Sequence, residues 1–261
     1  MDVSVVIITF NCWHHLERCL RSLYKKVTGI DFEVIVIDNN SVDGTREHIK
    51  SEFPEITLIE NPRNMGVARA RNQGIRIARG RYVLILDADV EIVSDDFPSL
   101  LSYMDSHQEV GIAGCTLMAE DGCVHPSART FPRPVHVLLR RLSYIGLVKT
   151  SRILKHHHLA DWDRKAPRSV DMVEGAFQLI RKGVIDEIGL LDERMFYGFE
   201  DADYCARAIK AGYDVICYPA FIGIHFLQGI TRGNPFNRMA VEHFRSYTRF
   251  YRKHRGLILS R

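Results

Sequence analysis

The stretch Tyr82–Asp89, Tyr-Val-Leu-Ile-Leu-Asp-Ala-Asp, constrains the fold more than any other. A strand with one wet face alternates apolar and polar residues. Val83–Leu86 is apolar throughout, so both faces of this strand are covered, as in a parallel sheet flanked by helices. The run ends in Asp87 and Asp89. Residues two apart on an extended chain point the same way, so both carboxylates can face one crevice. In open α/β sheets, ligands bind outside the carboxyl ends of the strands. Two carboxylates there repel each other unless a cation lies between them. A hard divalent ion suits such oxygen ligands and commonly also holds a substrate phosphate. Taken alone, Asp-x-Asp reads as readily as an acidic turn, so its surroundings decide.

Those surroundings alternate strand and helix. Val3–Phe10 is a β-branched, buried run, and Asn11 is placed to cap the helix that follows. Trp13, Leu16, Leu20 and Leu23 form the core face of that helix. Phe32–Ile37 is a second strand ending in Asp38-Asn39-Asn40. Ser41–Thr45 opens a second helix, Ile56–Ile59 is a short third strand, and 61–66 is a loop. Val67–Ala78 is a helix in which Gly74 permits close packing. Strand–helix–strand alternation of this kind predicts a parallel sheet. Beyond the organising strand come a helix over Phe97–His107 and a strand over Val110–Cys115. Strand residues follow in Val170–Ile180, then a helix over Lys182–Ile188 stopped by Gly189, a helix from Glu200 to Lys210, and a strand over Val215–Tyr218. From 121 to 168, prolines, arginines and histidines accumulate and periodicity weakens. This segment reads as a long basic insertion or mobile loop, and His156-His157-His158 as a solvated tract. Residues 239–261 read as a separate basic aromatic helix, with Ala240, Phe244, Tyr247 and Tyr251 on one face.

Length and charge narrow the function. A chain of 261 residues suits one large α/β domain, and a net charge of +3 is too mild to argue for a nucleic-acid partner. The six cysteines include no Cys-x-x-Cys pair, which disfavours zinc ribbons and thioredoxin-like motifs. The opening apolar run is too short for a signal peptide, and no apolar stretch is long enough to span a bilayer. A reducing cytoplasmic location is therefore expected, with the inner face of the cell membrane as the place of work if the tail binds anionic lipid.

Acids collect where strands and helices meet: Asp38, then Asp87 and Asp89, then Glu200, Asp201 and Asp203. No Gly-x-Gly-x-x-Gly follows the first strand, and Walker A and Gly-x-Ser-x-Gly are missing. Nicotinamide enzymes, P-loop NTPases and α/β-hydrolases are thus disfavoured. The order of motifs does resemble one family. Val5–Asn11, Asp38–Thr45, Asn64–Gly74, Asp87-Ala88-Asp89, Glu174-Gly175-Ala176 and Glu200–Asp203 together resemble a family 2 glycosyltransferase. Ser127–Pro132, Gly189–Arg194 and Phe250–His254 look like the bacterial rhamnosyltransferases within it.

The resemblance implies an α/β GT-A fold with a mostly parallel central sheet over residues 1–238. It implies an inverting transfer of a sugar from a dTDP, UDP or GDP donor to a glycan or lipid-linked acceptor, with Mg²⁺ or Mn²⁺ as cofactor. Thr9, Asn11, Asp38, Asn64, Arg71, Asp87 and Glu174 would bind the nucleotide sugar. Thr9, Asp38 and Arg71 would hold its base and ribose. Asp89 and His225 would hold the metal. Asp201 would be the catalytic base, ionised at neutral pH at a helix N-terminus, and Glu200 would orient the acceptor or the loop. A sugar-phosphate nucleotidyltransferase also uses a nucleotide and a metal, but the Gly-rich, Lys-bearing loop of such enzymes is missing after the first strand. A non-catalytic nucleotide-sugar-binding protein is the other alternative. The basic tail has two readings of equal weight, membrane contact or a helix packed on the domain.

Overall fold

A computed structural model describes residues 1–144, 151–226 and 238–260, with the backbone alone for 140–144. The first half is β1 (Val3–Thr9), α1 (Trp13–Lys26), β2 (Phe32–Asp38), α2 (Thr45–Glu52), β3 (Thr57–Glu60), α3 (Val67–Ile77) and β4 (Tyr82–Asp87). β1 lies between β2 and β4, parallel to both, and β3 continues the parallel run beyond β2. Because alternate strand residues face opposite sides, the sheet builds two cores. Val3, Val5 and Ile7 meet Leu16, Leu20 and Leu23 of α1 on one side. Val6, Ile35 and Ile37 meet Ala70 and Ile75 of α3 on the other. Gly74 sets the second spacing: a Cβ there would lie 2.6 Å from a methyl of Val6.

The second half is β5 (Val90–Ile92), α4 (Phe97–Ser106), β6 (Val110–Met118), β7 (Val124–His125), β8 (Ala128–Arg129), α5 (Pro134–Tyr144), α6 (Arg152–His157) and β9 (Arg168–Ser169). It continues with β10 (Met172–Val173), β11 (Phe177–Arg181), α7 (Lys182–Ile188), α8 (Glu200–Lys210), β12 (Asp214–His225) and α9 (Arg238–Ser260). The main sheet runs β3-β2-β1-β4-β11-β6-β12-β5. β11 is antiparallel to both β4 and β6, so the sheet is mixed at its centre rather than parallel throughout. This places the loop before β11 directly over the carboxyl end of β4.

Four local expectations change. Asn11 does not cap α1. Its backbone is left-handed at φ 50°, which turns Oδ1 toward the β2–α2 loop to accept from the Val42 N–H at 2.8 Å. Asp43 accepts from the Trp13 N–H in its place, at 3.0 Å. The 121–168 segment is not a loop in its described part, since β7 adds to β6 and β8 pairs with β10. Residues 145–150 of it lie outside the described residues. The histidine tract is not wholly solvated: His157 is buried, stacked on His136 at 4.2 Å, with Nδ1 2.9 Å from the Thr130 hydroxyl. α9 does not present Phe244, Tyr247 and Tyr251 as one buried face. Tyr247, Phe250, His254 and Ile258 are buried, whereas Phe244 is 49% exposed. The 227–237 link that precedes it is outside the described residues.

Candidate active site

The site forms where β4 ends. Asp87 is the last residue of β4, and the chain turns at once into β5, which pairs antiparallel with the end of β12. That pairing sets His225 opposite Val90, next to the turn that carries Asp89. His225 Nε2 is 3.2 Å from Asp89 Oδ1. Ligand atoms of Asp87, Asp89 and His225 all lie within 4.8 Å of one another. Burial would lower the pKa of His225, but the hydrogen bond and charge of Asp89 outweigh it and raise it. The ring's other nitrogen, Nδ1, is buried without a hydrogen-bond partner. Two carboxylates and an imidazole around one point, with a buried nitrogen unsatisfied, are a donor set that fits a divalent cation.

Behind this cluster lies Arg71, which is 3% exposed. Its guanidinium donates to Asp87 Oδ1 at 2.5 Å, Glu200 Oε1 at 2.9 Å and the Gly175 carbonyl at 2.8 Å. Arg71 is thus a buried hub joining α3, β4, α8 and the loop before β11, with Nε left without a hydrogen-bond partner. Gly175 has no room for a side chain, because a Cβ would stand 2.4 Å from the Arg71 guanidinium. Asp38 also has partners within the fold. It is fully buried and accepts from the Ser41 N–H at 3.0 Å and from Arg46 at 2.5 Å. Thr9 is buried against Cys12, and Asn64 is exposed, with Oδ1 accepting from the Gly66 N–H.

The acidic start of α8 supplies the opposite wall. Phe199 precedes it in the left-handed region at φ 68°, a conformation that costs a non-glycine residue energy and recurs at functional sites. Glu200 is buried on Arg71, with Oε2 unpartnered. Asp201 is less buried, and its oxygens accept from the backbone of Gly175 and Ala202. Burial, then the charge of Asp201, push Glu200 up to about 7 despite Arg71. Burial and the charge of Glu174 raise Asp201 as well, despite Arg129. The expected lowering by the helix terminus is therefore reversed: desolvation and like charge exceed a dipole effect of about 1 kcal/mol. Asp203 does not join the site. It is fully buried among Arg207 at 2.9 Å, Lys253 at 2.7 Å and His254 at 2.8 Å, where it clamps α9 to α8.

Two residues absent from the expected set complete the site, both from the 121–168 segment. His125 lies 2.7 Å from Glu174 Oε2, and Arg129 pairs with its other oxygen. Burial would raise Glu174, but Arg129 and His125 hold it well below the usual carboxylate range. His125, Glu174 and His225 also bring one ligand atom each within 4.8 Å of the others. The concentration of basic residues in this segment was the available sign; its pairing with Glu174 depends on β8 meeting β10.

Residues 4–189 match the model of Glycosyl transferase family 2. The chain is 26% identical to the N-acetylglucosaminyl-diphospho-decaprenol L-rhamnosyltransferase of Mycobacterium tuberculosis, over 97% of this chain and 85% of the relative. Among solved structures it resembles GalNAc-T7 with UDP, GalNAc and Mn²⁺, with TM-score 0.68, 20% identity, and 96% and 48% of the two chains covered. It also resembles the mannosyltransferase PcManGT of Pyrobaculum calidifontis with GDP-Man and Mn²⁺, with TM-score 0.63, 22% identity, and 95% and 64% covered. These likenesses carry the GT-A fold.

Proposed function

The chain belongs to glycosyl transferase family 2, and we propose that it moves a sugar, rhamnose by analogy with its relative, from a nucleoside diphosphate to a hydroxyl of a lipid-linked glycan. The observation that carries this reading is two chemistries joined through Arg71 and Gly175. Asp87, Asp89 and His225 converge on one point, and Asp201, a half-buried residue at the start of α8, is tied to the same Gly175 that accepts from Arg71. The first set would hold Mg²⁺ or Mn²⁺ and with it the donor diphosphate. Such an ion offsets the charge that develops on the leaving group.

The chain's own residues do the rest. Asp201 takes the proton of the acceptor hydroxyl as that oxygen attacks the anomeric carbon from the face opposite the diphosphate, which inverts the centre. Its raised pKa makes it a stronger base than a free aspartate. The N–H groups of Gly175 and Ala202 aim it. Glu200 and Arg71 act behind it, fixing Asp87 relative to α8. Glu174, kept anionic by Arg129 and His125, offers a fixed acceptor for sugar hydroxyls.

Asp201→Asn keeps the shape and removes the basicity. Turnover should fall by about 10²-fold or more, while donor affinity stays nearly unchanged. Near-normal turnover in Asp201→Asn beside an inactive Glu200→Gln moves the base to Glu200. Normal turnover in both removes this mechanism.

A further inference from the structure

Away from the donor crevice, α5, α6 and the end of α9 converge on an open cavity of about 430 Å³. Val135, Ile153 and Ile258 line it beside Arg133, Arg152 and His156. Val135 and Ile153 are exposed, and Leu138, three residues on along α5, is 57% exposed. Residues three apart share a helix face, so Leu138 lies on the side of α5 that carries Val135 at the cavity, with the exposed Ile153 of α6 on the same cavity. Exposed apolar residues scattered singly need no partner, but a patch rimmed by polar groups marks a contact surface.

Charge indicates what covers it. No Asp or Glu occurs between Gly122 and Ala160. Arg133, Arg152 and Lys155 form no ion pair among the described residues. Asp171 also lines the cavity, and its carboxylate accepts from the Phe131 N–H at 2.9 Å. Elsewhere on the surface, Arg18, Arg21, Arg79 and Arg81 are paired with carboxylates, while Arg63, Arg252 and Arg255 form no ion pair among the described residues. Apolar side chains beside a surplus of cations, with Asp171 the one acid lining the cavity, match a bilayer of anionic lipid: the cations meet headgroups and the apolar groups enter the acyl boundary. No helix among the described residues is long and apolar enough to cross a membrane, so such contact is peripheral. In the tail, Tyr247 and Phe250 are buried on the body of the protein and are not available for such contact.

We propose that the face built by α5, α6 and the end of α9 docks this protein on an anionic phospholipid bilayer. Its use rests on the reading above that the acceptor is lipid-linked, since docking would bring the crevice to it.

Flotation of the full chain with phosphatidylcholine vesicles, with and without phosphatidylglycerol, tests the proposal. The protein should float with the anionic vesicles alone and come off in high salt. Arg133→Ala combined with Arg152→Ala should lower partitioning roughly 25-fold, about fivefold per surface cation. Leu138→Asp should abolish it. Arg245→Ala combined with Arg252→Ala, in the tail, should change it less than about twofold, because these side chains lie outside the patch. Equal flotation with both vesicles, none with either, or loss in the tail variant alone overturns the proposal. So does self-association in solution that Leu138→Asp abolishes, which would give the face to a second copy. Circular dichroism and nucleotide binding verify that each variant is folded. Donor turnover without vesicles separates the two readings: turnover without flotation sinks the docking face, and flotation without turnover sinks the transferase reaction.

Discussion

Replacing Arg71 by Met keeps the bulk of the side chain and removes the charge shared by the buried Glu200 and the half-buried Asp87. Asp87 and Glu200 contact it at 2.5 and 2.9 Å; Arg71 and Glu200 are buried while the Asp87 side chain is 30% exposed, so water can replace the guanidinium at Asp87 but not at Glu200. Removing one partner of a buried ion pair costs about 3–5 kcal/mol. That is a large share of the roughly 5–15 kcal/mol that holds a domain together. The pH dependence identifies the cause. Glu200 already titrates at about 7, and Asp87 is raised by burial and by Asp89 against the pull of Arg71. Without Arg71 both carboxyls hold their protons to higher pH. Between the unfolded and folded pKa values the native state then binds more protons than the unfolded one, so stability falls as pH rises through that window. The deficit of Arg71→Met should be largest near pH 8. It should shrink by about 1 kcal/mol or more near pH 5.5, where Glu200 is protonated in both proteins. Urea unfolding at the two pH values, followed by tryptophan fluorescence, measures it. Arg71→Met with Glu200→Gln should recover part of the loss. A deficit below about 1 kcal/mol, or one that grows in acid, would refute the hub.

Gly175→Ala should reproduce much of the Arg71 defect, because its methyl meets the guanidinium at 2.4 Å. Overpacking of this kind costs about 1–3 kcal/mol, and a thermal midpoint equal to the parent's would contradict it. Glu174→Gln should lose about 1.5–3 kcal/mol near neutral pH, as its bonds to Arg129 and His125 lose their charge. The folded pKa of Glu174 is lowered, so its contribution is present above the unfolded value of 4.5 and is lost as pH falls through the folded value. A deficit that already vanishes between pH 7 and 5 argues against that pairing.

The strands and their acids were legible because burial on both faces writes itself as an apolar run, and the acidic start of α8 because helix ends have local chemistry. What sequence patterns do not carry is which elements meet. β11 enters between β4 and β6 against the parallel direction, and only then does Glu174 come beneath His125 and Arg129. The same applies to the partners of Arg71 and Asp38, Glu200 and Arg46, which no local pattern joins to them. In α9 the spacing put Ala240, Phe244, Tyr247 and Tyr251 on one face, of which Tyr247 is buried and Phe244 exposed. The buried Asp203 instead selects the face carrying His254, and Phe250 turns inward with it.

The central claim is that Asp89 and His225 hold a divalent ion that binds together with a donor diphosphate. Calorimetric titration of UDP, dTDP and GDP, with Mn²⁺ and with chelator, on the parent and on Asp89→Ala, tests it directly. One nucleotide should bind at least about tenfold more tightly with Mn²⁺, and by linkage Mn²⁺ should bind more tightly with that nucleotide by the same factor. Asp89→Ala should erase both effects while remaining folded. Equal nucleotide affinity with and without metal in the parent, or coupling that survives Asp89→Ala, would contradict the account.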